Sequence, residues 1–174
     1  MKNLTRFLRP IILFLLLVGL GACSKKSEDV LPGGTHDARM EGTWRLASVT
    51  ATAKEKGKPA QTSTQHASSP IYYEYRSDGT WANMTSGNAS GRYTSETGKP
   101  YLTNNGQRGV IAFDIQSLTQ NDFRYGASTV ESFVALSRSM GAEPPKAEDL
   151  AKIESLTFSI ALTKTSNTTT PGKR

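Results

Sequence analysis

Apolar and polar positions alternate in short segments along most of the chain after residue 40. The clearest segment is the last, where Leu156, Phe158, Ile160 and Leu162 are separated by small or polar residues. A period of two is typical of a β-strand that buries one face. Weaker alternation of the same kind predicts further strands, over 42–50, 71–76, 81–85, 91–95, 101–103, 110–115 and from 123 onwards.

Short turn sequences separate these segments. Asp78-Gly79 is a strong hairpin signal, and Ser86-Gly87-Asn88, Asn104-Asn105-Gly106 and Gln120-Asn121-Asp122 are similar. The pattern therefore predicts an all-β fold, an antiparallel up-and-down β-barrel of about eight strands. Closure of such a sheet leaves no free edge. A β-sandwich fits the same alternation and stays open as an alternative. The polar stretch Thr52–Ser69 is interpreted as a long exposed loop.

The period changes before the last strand. Ser128 and Glu131 have the spacing of a capping box, and Gly141 is a natural helix stop. Between them, apolar residues recur on one helical face: Val130, Phe133, Val134 and Met140. A second short helix is expected within 146–154, after Pro144-Pro145. The chain thus carries a helical insertion over about 128–154.

The N-terminus has the features of an export signal. Lys2, Arg6 and Arg9 are followed by an unbroken apolar run over 11–18 and by small residues. A basic start, a short apolar middle and a small-residue exit define a secretory signal peptide. A membrane-spanning helix is the alternative, but it needs about 20 apolar residues. We therefore expect a cleaved signal over 1–22.

Leu20-Gly21-Ala22-Cys23 resembles the bacterial lipobox, and Cys23 is the single cysteine. The resemblance implies that the Cys23 thiol carries a diacylglyceryl group and that the chain is cut after Ala22. Acyl chains on Cys23 would then hold the protein at a membrane without a spanning helix. Because Ser24 is not the aspartate that retains many lipoproteins in the inner membrane, the outer membrane of a Gram-negative cell envelope is expected, facing the periplasm or the cell surface.

Charge and composition exclude several functions. The net charge of +6 includes the three cations of the signal, and no basic patch with interleaved aromatics follows, so nucleic acid is not an expected partner. His36 and His66 lie in stretches interpreted as a tether and a loop, with no scaffold to hold them. Asp78 and Asp114 are interpreted as a turn residue and a strand-end charge. We expect neither an enzyme nor a bound metal or cofactor, and we expect a monomer.

The predicted layout is a lipidated flexible tether over 23–40, a barrel domain over 41–165 and a polar tail over 166–174. Within the barrel, five short motifs resemble those of bacterial lipocalin-like lipoproteins. They are Gly42-Thr43-Trp44, Tyr75-Arg76-Ser77-Asp78-Gly79-Thr80-Trp81, Gly91-Arg92-Tyr93, Ile115-Gln116-Ser117-Leu118-Thr119 and Leu162-Thr163-Lys164. The insertion departs from that family, whose helix follows the last strand. We expect this insertion to cover one mouth of the barrel.

The resemblance implies a barrel whose interior holds a small apolar ligand. The candidate lining residues are Trp44, Leu46, Tyr73, Tyr75, Trp81, Phe113 and Phe158. Two alternatives stay open: these side chains simply fill the core, or the domain is a non-catalytic surface interaction or scaffold module.

Overall fold

The structure, a computed structural model, describes residues 36–86, 90–95, 101–106, 109–139 and 146–165. These contain nine β-strands, two α-helices and a 3-10 turn at Ala38–Met40. The elements are β1 (Gly42–Glu55), β2 (Gln61–Gln65), β3 (Tyr72–Tyr75), β4 (Thr80–Asn83), β5 (Ser90–Thr94), β6 (Tyr101–Gly106), β7 (Gly109–Leu118), β8 (Asp122–Ala127), α1 (Val130–Ser139), α2 (Ala147–Leu150) and β9 (Ile153–Lys164).

Eight of the nine strands form a closed ring. Each strand from β3 to β9 pairs antiparallel with its neighbour in sequence, β9 pairs with β1, and β1 pairs with β3. Every pairing between named strands is antiparallel, and α1 precedes the last strand of the ring. The predicted all-β, up-and-down arrangement with a helical insertion before the last strand is therefore confirmed.

Strand β1 is longer than predicted and holds two partners on one edge. Its first part, Gly42–Arg45, pairs with β3, and its later part, Val49–Ala53, pairs with β2. The other edge pairs with β9 from Trp44 to Glu55, with bulges along the way. The ninth strand, β2, thus lies beside the ring and extends the sheet at one end.

The prediction of a loop over Thr52–Ser69 is wrong, because this stretch contains the end of β1 and all of β2. The sequence Gln-Thr-Ser-Thr-Gln of β2 has no apolar residue, so it carries none of the alternation that indicates a strand. An edge strand can be polar since it needs to bury little surface. Two hydroxyl pairs across β1 and β2 join them, Thr50–Thr64 at 3.1 Å and Thr52–Thr62 at 3.0 Å.

The last residues of the predicted tether belong to the folded domain. Met40 is fully buried, and its carbonyl oxygen accepts a 2.6 Å hydrogen bond from Nε1 of Trp44. Asp37 caps the 3-10 turn by accepting from the backbone N–H of Arg39 at 3.0 Å. The predicted boundary between tether and domain near residue 40 is therefore corrected to a position before His36. Residues 36–40 pack onto the domain because Met40 would otherwise expose its apolar side chain.

Helix α1 begins one residue later than the predicted capping box. Thr129, not Ser128, caps it: the Thr129 hydroxyl accepts from the N–H of Ser132 at 3.1 Å, and the Ser132 hydroxyl accepts from the N–H of Thr129 at 3.0 Å. Serine thus replaces the predicted glutamate in a reciprocal cap. Phe133 and Leu136 are buried in the core of the ring, whereas Met140, Gly141 and Pro144-Pro145 lie outside the described residues.

Candidate ligand site inside the ring

The register of the ring shows which side chains face inward. Directly opposed residues on neighbouring strands point to the same face of a sheet. Trp44 opposes Tyr73, and Tyr73 opposes Asn83; on the next level Tyr75 opposes Trp81. The fold brings all seven predicted lining residues into one apolar cluster, either as members or packed against it: Trp44, Leu46, Tyr73, Tyr75, Trp81, Phe113 and Phe158.

One part of this interior is filled by aromatic rings in contact. The rings of Trp44 and Phe123 meet edge to face with centroids 5.8 Å apart, and Tyr75 meets Phe123 at 6.2 Å. Tyr125 stacks on Phe123 at 4.8 Å and contacts Phe113 at 5.1 Å. Such pairs add stability beyond the area that they bury. This part of the ring is therefore a packed core.

Other inward-facing residues keep accessible apolar surface. Five inward-facing residues on β3, β4, β7 and β9 pack against the core but are only partly buried: Tyr73, Trp81, Ile111, Ile115 and Ile160. Their inward direction follows from the register, in which Ile115 opposes Tyr125 and Tyr125 opposes Ile160. Partly exposed apolar surface on the concave face of a sheet is the usual lining of a small-molecule site.

Neutral polar groups lie among these apolar side chains. Burial raises the pKa of the Tyr73, Tyr75 and Tyr125 hydroxyls above the ordinary tyrosine value, so all three stay protonated at physiological pH. Tyr75 is hydrogen bonded to Tyr125 and also to Asn104, and both bonds oppose the rise in the pKa of Tyr75. Hydrogen bonds between neutral groups are what a low-dielectric interior tolerates.

Two buried polar atoms have no hydrogen-bond partner among the described residues: the donor Nε1 of Trp81 and the acceptor Oδ1 of Asn104. Asn104 was predicted as a turn residue, yet it lies within β6 and faces inward opposite Tyr93 and Ile111. The sequence offered one sign of this inward position: Asn104 follows the apolar Leu102 by two residues, which places both on the same face of a strand. The asparagine-rich sequence that follows Leu102 indicated a turn instead.

The two histidines are held, contrary to the prediction that they lack a scaffold. His36 forms a bridge with Ser95, its Nε2 lies 3.1 Å from Oε1 of Glu41, and its ring contacts Tyr93 at 5.2 Å. Nδ1 of His66 lies 3.0 Å from the carbonyl oxygen of Ala47. His66 follows β2, and His36 belongs to the packed segment 36–40. The polar sequences of both segments did not indicate that they were ordered. Within the described part of the chain, no three metal-ligating side chains cluster.

Asp78 has its predicted role, since its carboxylate accepts from the N–H of Thr80 at 2.9 Å in the turn between β3 and β4. Asp114 lies within β7 and accepts from the N–H of Ser128 at 2.7 Å, just before α1. The lipobox, Leu20, Gly21, Ala22 and Cys23, lies outside the described residues. None of the helices in the described ranges is long and apolar enough to cross a membrane.

No protein-family model matches the chain, and neither a curated protein nor a solved structure gives a significant match.

Proposed function

We propose that this chain is a non-catalytic bacterial lipoprotein, anchored through acyl chains on Cys23, whose ring of strands binds a small, largely apolar ligand. The observation that carries the ligand site is the partly accessible inward surface around Tyr73 and Trp81. The anchor is inferred from the signal sequence and from Leu20-Gly21-Ala22-Cys23. In this proposal the protein resides in the outer membrane of a Gram-negative bacterium, facing the periplasm or the cell surface.

A second candidate is a scaffold or surface interaction module with a filled core. The aromatic contacts among Trp44, Phe123 and Tyr125 favour it, because side chains that already touch leave no room between them. The two candidates differ in one measurable property, which is saturable binding of a small apolar molecule inside the ring.

Titration with N-phenyl-1-naphthylamine, an apolar probe whose fluorescence rises in dry surroundings, tests the ligand site. The wild-type chain should bind it saturably. Trp81→Ala should weaken binding about tenfold or more, because an aromatic side chain contributes about 1.5–3 kcal/mol when it is buried. Tyr101→Ala is the matched control, since Tyr101 is 41% exposed and lies on the outer face. Unsaturable binding, or equal losses in both variants, would support the filled-core candidate.

Metabolic labelling with an alkyne-bearing fatty acid tests the anchor separately. The wild-type chain should take up the label and fractionate with membranes, and Cys23→Ser should do neither. An unlabelled wild-type chain, or a labelled Cys23→Ser variant, would remove Cys23 as the attachment site without bearing on the ring.

A further inference from the structure

The two residues that carry the unpartnered atoms share one neighbour, Tyr75. Trp81 is the direct strand partner of Tyr75, and Tyr75 is hydrogen bonded to Asn104. Asn104 is only 9% exposed, and its Oδ1 is buried without a partner among the described residues. A buried acceptor that stays unpaired has lost its hydration without gaining a partner, which destabilises the folded state. A ligand that donates a hydrogen bond to Oδ1 would remove this cost.

The surroundings of these atoms restrict the charge of that ligand. The strand neighbours of Asn104 are Tyr93 and Ile111, and those of Trp81 are Tyr75 and Gly91. None of the four carries a charge. An isolated carboxylate or ammonium buried among such groups would lose its hydration without a compensating partner. Gly91 places no side chain opposite Trp81.

We propose that the interior site selects neutral amphiphiles, with a hydroxyl group that donates to Oδ1 of Asn104 and an apolar body against Tyr73 and Trp81. A hydroxyl oxygen can also accept a hydrogen bond, which suits the unpaired Nε1 of Trp81. This inference rests on the proposed function, because it specifies the ligand of the same site. It goes beyond that function in assigning the selection to Asn104.

Three naphthalene probes of nearly equal size test it by calorimetric titration of the full chain, purified from the cell fraction in which it is recovered. 1-Naphthylmethanol can donate a hydrogen bond, its methyl ether can only accept one, and 1-naphthoate is charged. The wild-type chain should bind the alcohol about tenfold more tightly than the ether, and the naphthoate weakest. In Asn104→Leu the preference for the alcohol should fall below about twofold while the ether still binds.

Two further variants keep the result interpretable. Thr103→Val removes a hydroxyl from the outer face of the same strand and should preserve the alcohol preference. Trp81→Phe removes Nε1 and should weaken alcohol and ether alike, because both oxygens can accept. If Asn104→Leu does not fold, Asn104→Ala, which also removes Oδ1, takes its place, and the same fall in the alcohol preference is expected.

The outcomes separate this inference from the proposed function. Equal affinity of the wild-type chain for alcohol and ether overturns selection by Asn104, whose Oδ1 would then be satisfied by an ordered water, and leaves ligand binding intact. An alcohol preference that survives in Asn104→Leu overturns the assignment in the same way. If no probe binds the wild-type chain, the ligand site and the inference both fail.

Discussion

The ammonium group of Lys164, in β9, lies 5.2 Å from the centroid of the Trp44 ring, in β1. The same nitrogen lies 3.4 Å from the carbonyl oxygen of Arg39, and Nε1 of Trp44 donates to the carbonyl of Met40. These contacts join the last strand, the first strand and the 3-10 turn where the ring closes. A cation over an aromatic face thus adds to the strand ladder between β1 and β9 where the ring closes.

Replacing Lys164 by methionine should lower the free energy of unfolding by about 0.5–1 kcal/mol, the usual contribution of a cation over an aromatic ring. Lys164→Arg should retain most of the stability. Chemical denaturation monitored by circular dichroism measures both. Lys58→Met is the control, since the Lys58 side chain is 63% exposed and ion pairs made by exposed lysines contribute little. Equal losses in the methionine variants of Lys164 and Lys58 would argue against the role of the Trp44 ring.

Gly126→Ala should destabilise the domain by about 3 kcal/mol or prevent folding. A Cβ at this position would lie 2.0 Å from the carbonyl oxygen of Phe158, on the neighbouring strand β9. Backbone atoms of a paired strand cannot move aside without breaking the ladder. Gly57→Ala provides the comparison, because it meets nothing within 4 Å and suffers only from a positive φ of 72°. The thermal midpoint of Gly126→Ala should be clearly the lower of the two.

The free energy of unfolding should decrease at low pH as Asp37 becomes protonated. A side-chain hydrogen bond from Arg39 lowers the pKa of this carboxyl below the value of about 3.9 in an unfolded chain. A carboxyl with a lowered folded pKa contributes its stability fully above the unfolded pKa and loses it as the pH falls through the folded pKa. Asp37→Asn, which keeps the capping oxygen, should therefore be less stable than the wild-type chain at pH 7. The difference should shrink below about pH 4. Urea unfolding at both pH values measures it, and a constant difference would exclude this titration.

Phe133→Ala should cost about 3–5 kcal/mol, the usual range for a buried phenylalanine. Phe133 is 3% exposed, and the centroid of its aromatic side chain lies 6.4 Å from that of Phe158 in β9. The exposed Arg138 of the same helix is the control, and Arg138→Ala should change stability by less than about 0.5 kcal/mol. A small loss in Phe133→Ala would mean that α1 is a detachable appendage and not part of the core.

The strands with an apolar face could be predicted from the sequence, and the polar elements could not. Alternation identified β9 and β7 because Phe158 and Phe113 mark the buried face. It failed for β2, whose five residues bury no apolar side chain, and for the packed segment that ends at Met40. Both are stabilised by contacts with residues distant in sequence, which a local pattern does not contain.

The candidate site was predictable only in part, because two of its five partly accessible apolar residues were among the predicted lining residues and the other five predicted residues are buried in the core. Trp81 and Tyr73 were identified from the strand pattern and the family resemblance. Asn104 was not, because an asparagine before Asn105-Gly106 indicates a turn, and the strand pattern around Tyr125 did not indicate its hydrogen bond with Tyr75. Their hydrogen bonds with Tyr75 depend on which residues of β3, β6 and β8 face one another inside the ring, and the register of the strands determines this.

A crystal structure of the full chain grown with N-phenyl-1-naphthylamine tests the ligand site most directly. The account predicts density for one probe molecule inside the ring, in contact with Tyr73 and Trp81. Side chains that fill this space, with the probe absent or bound only to the outer surface, would contradict it.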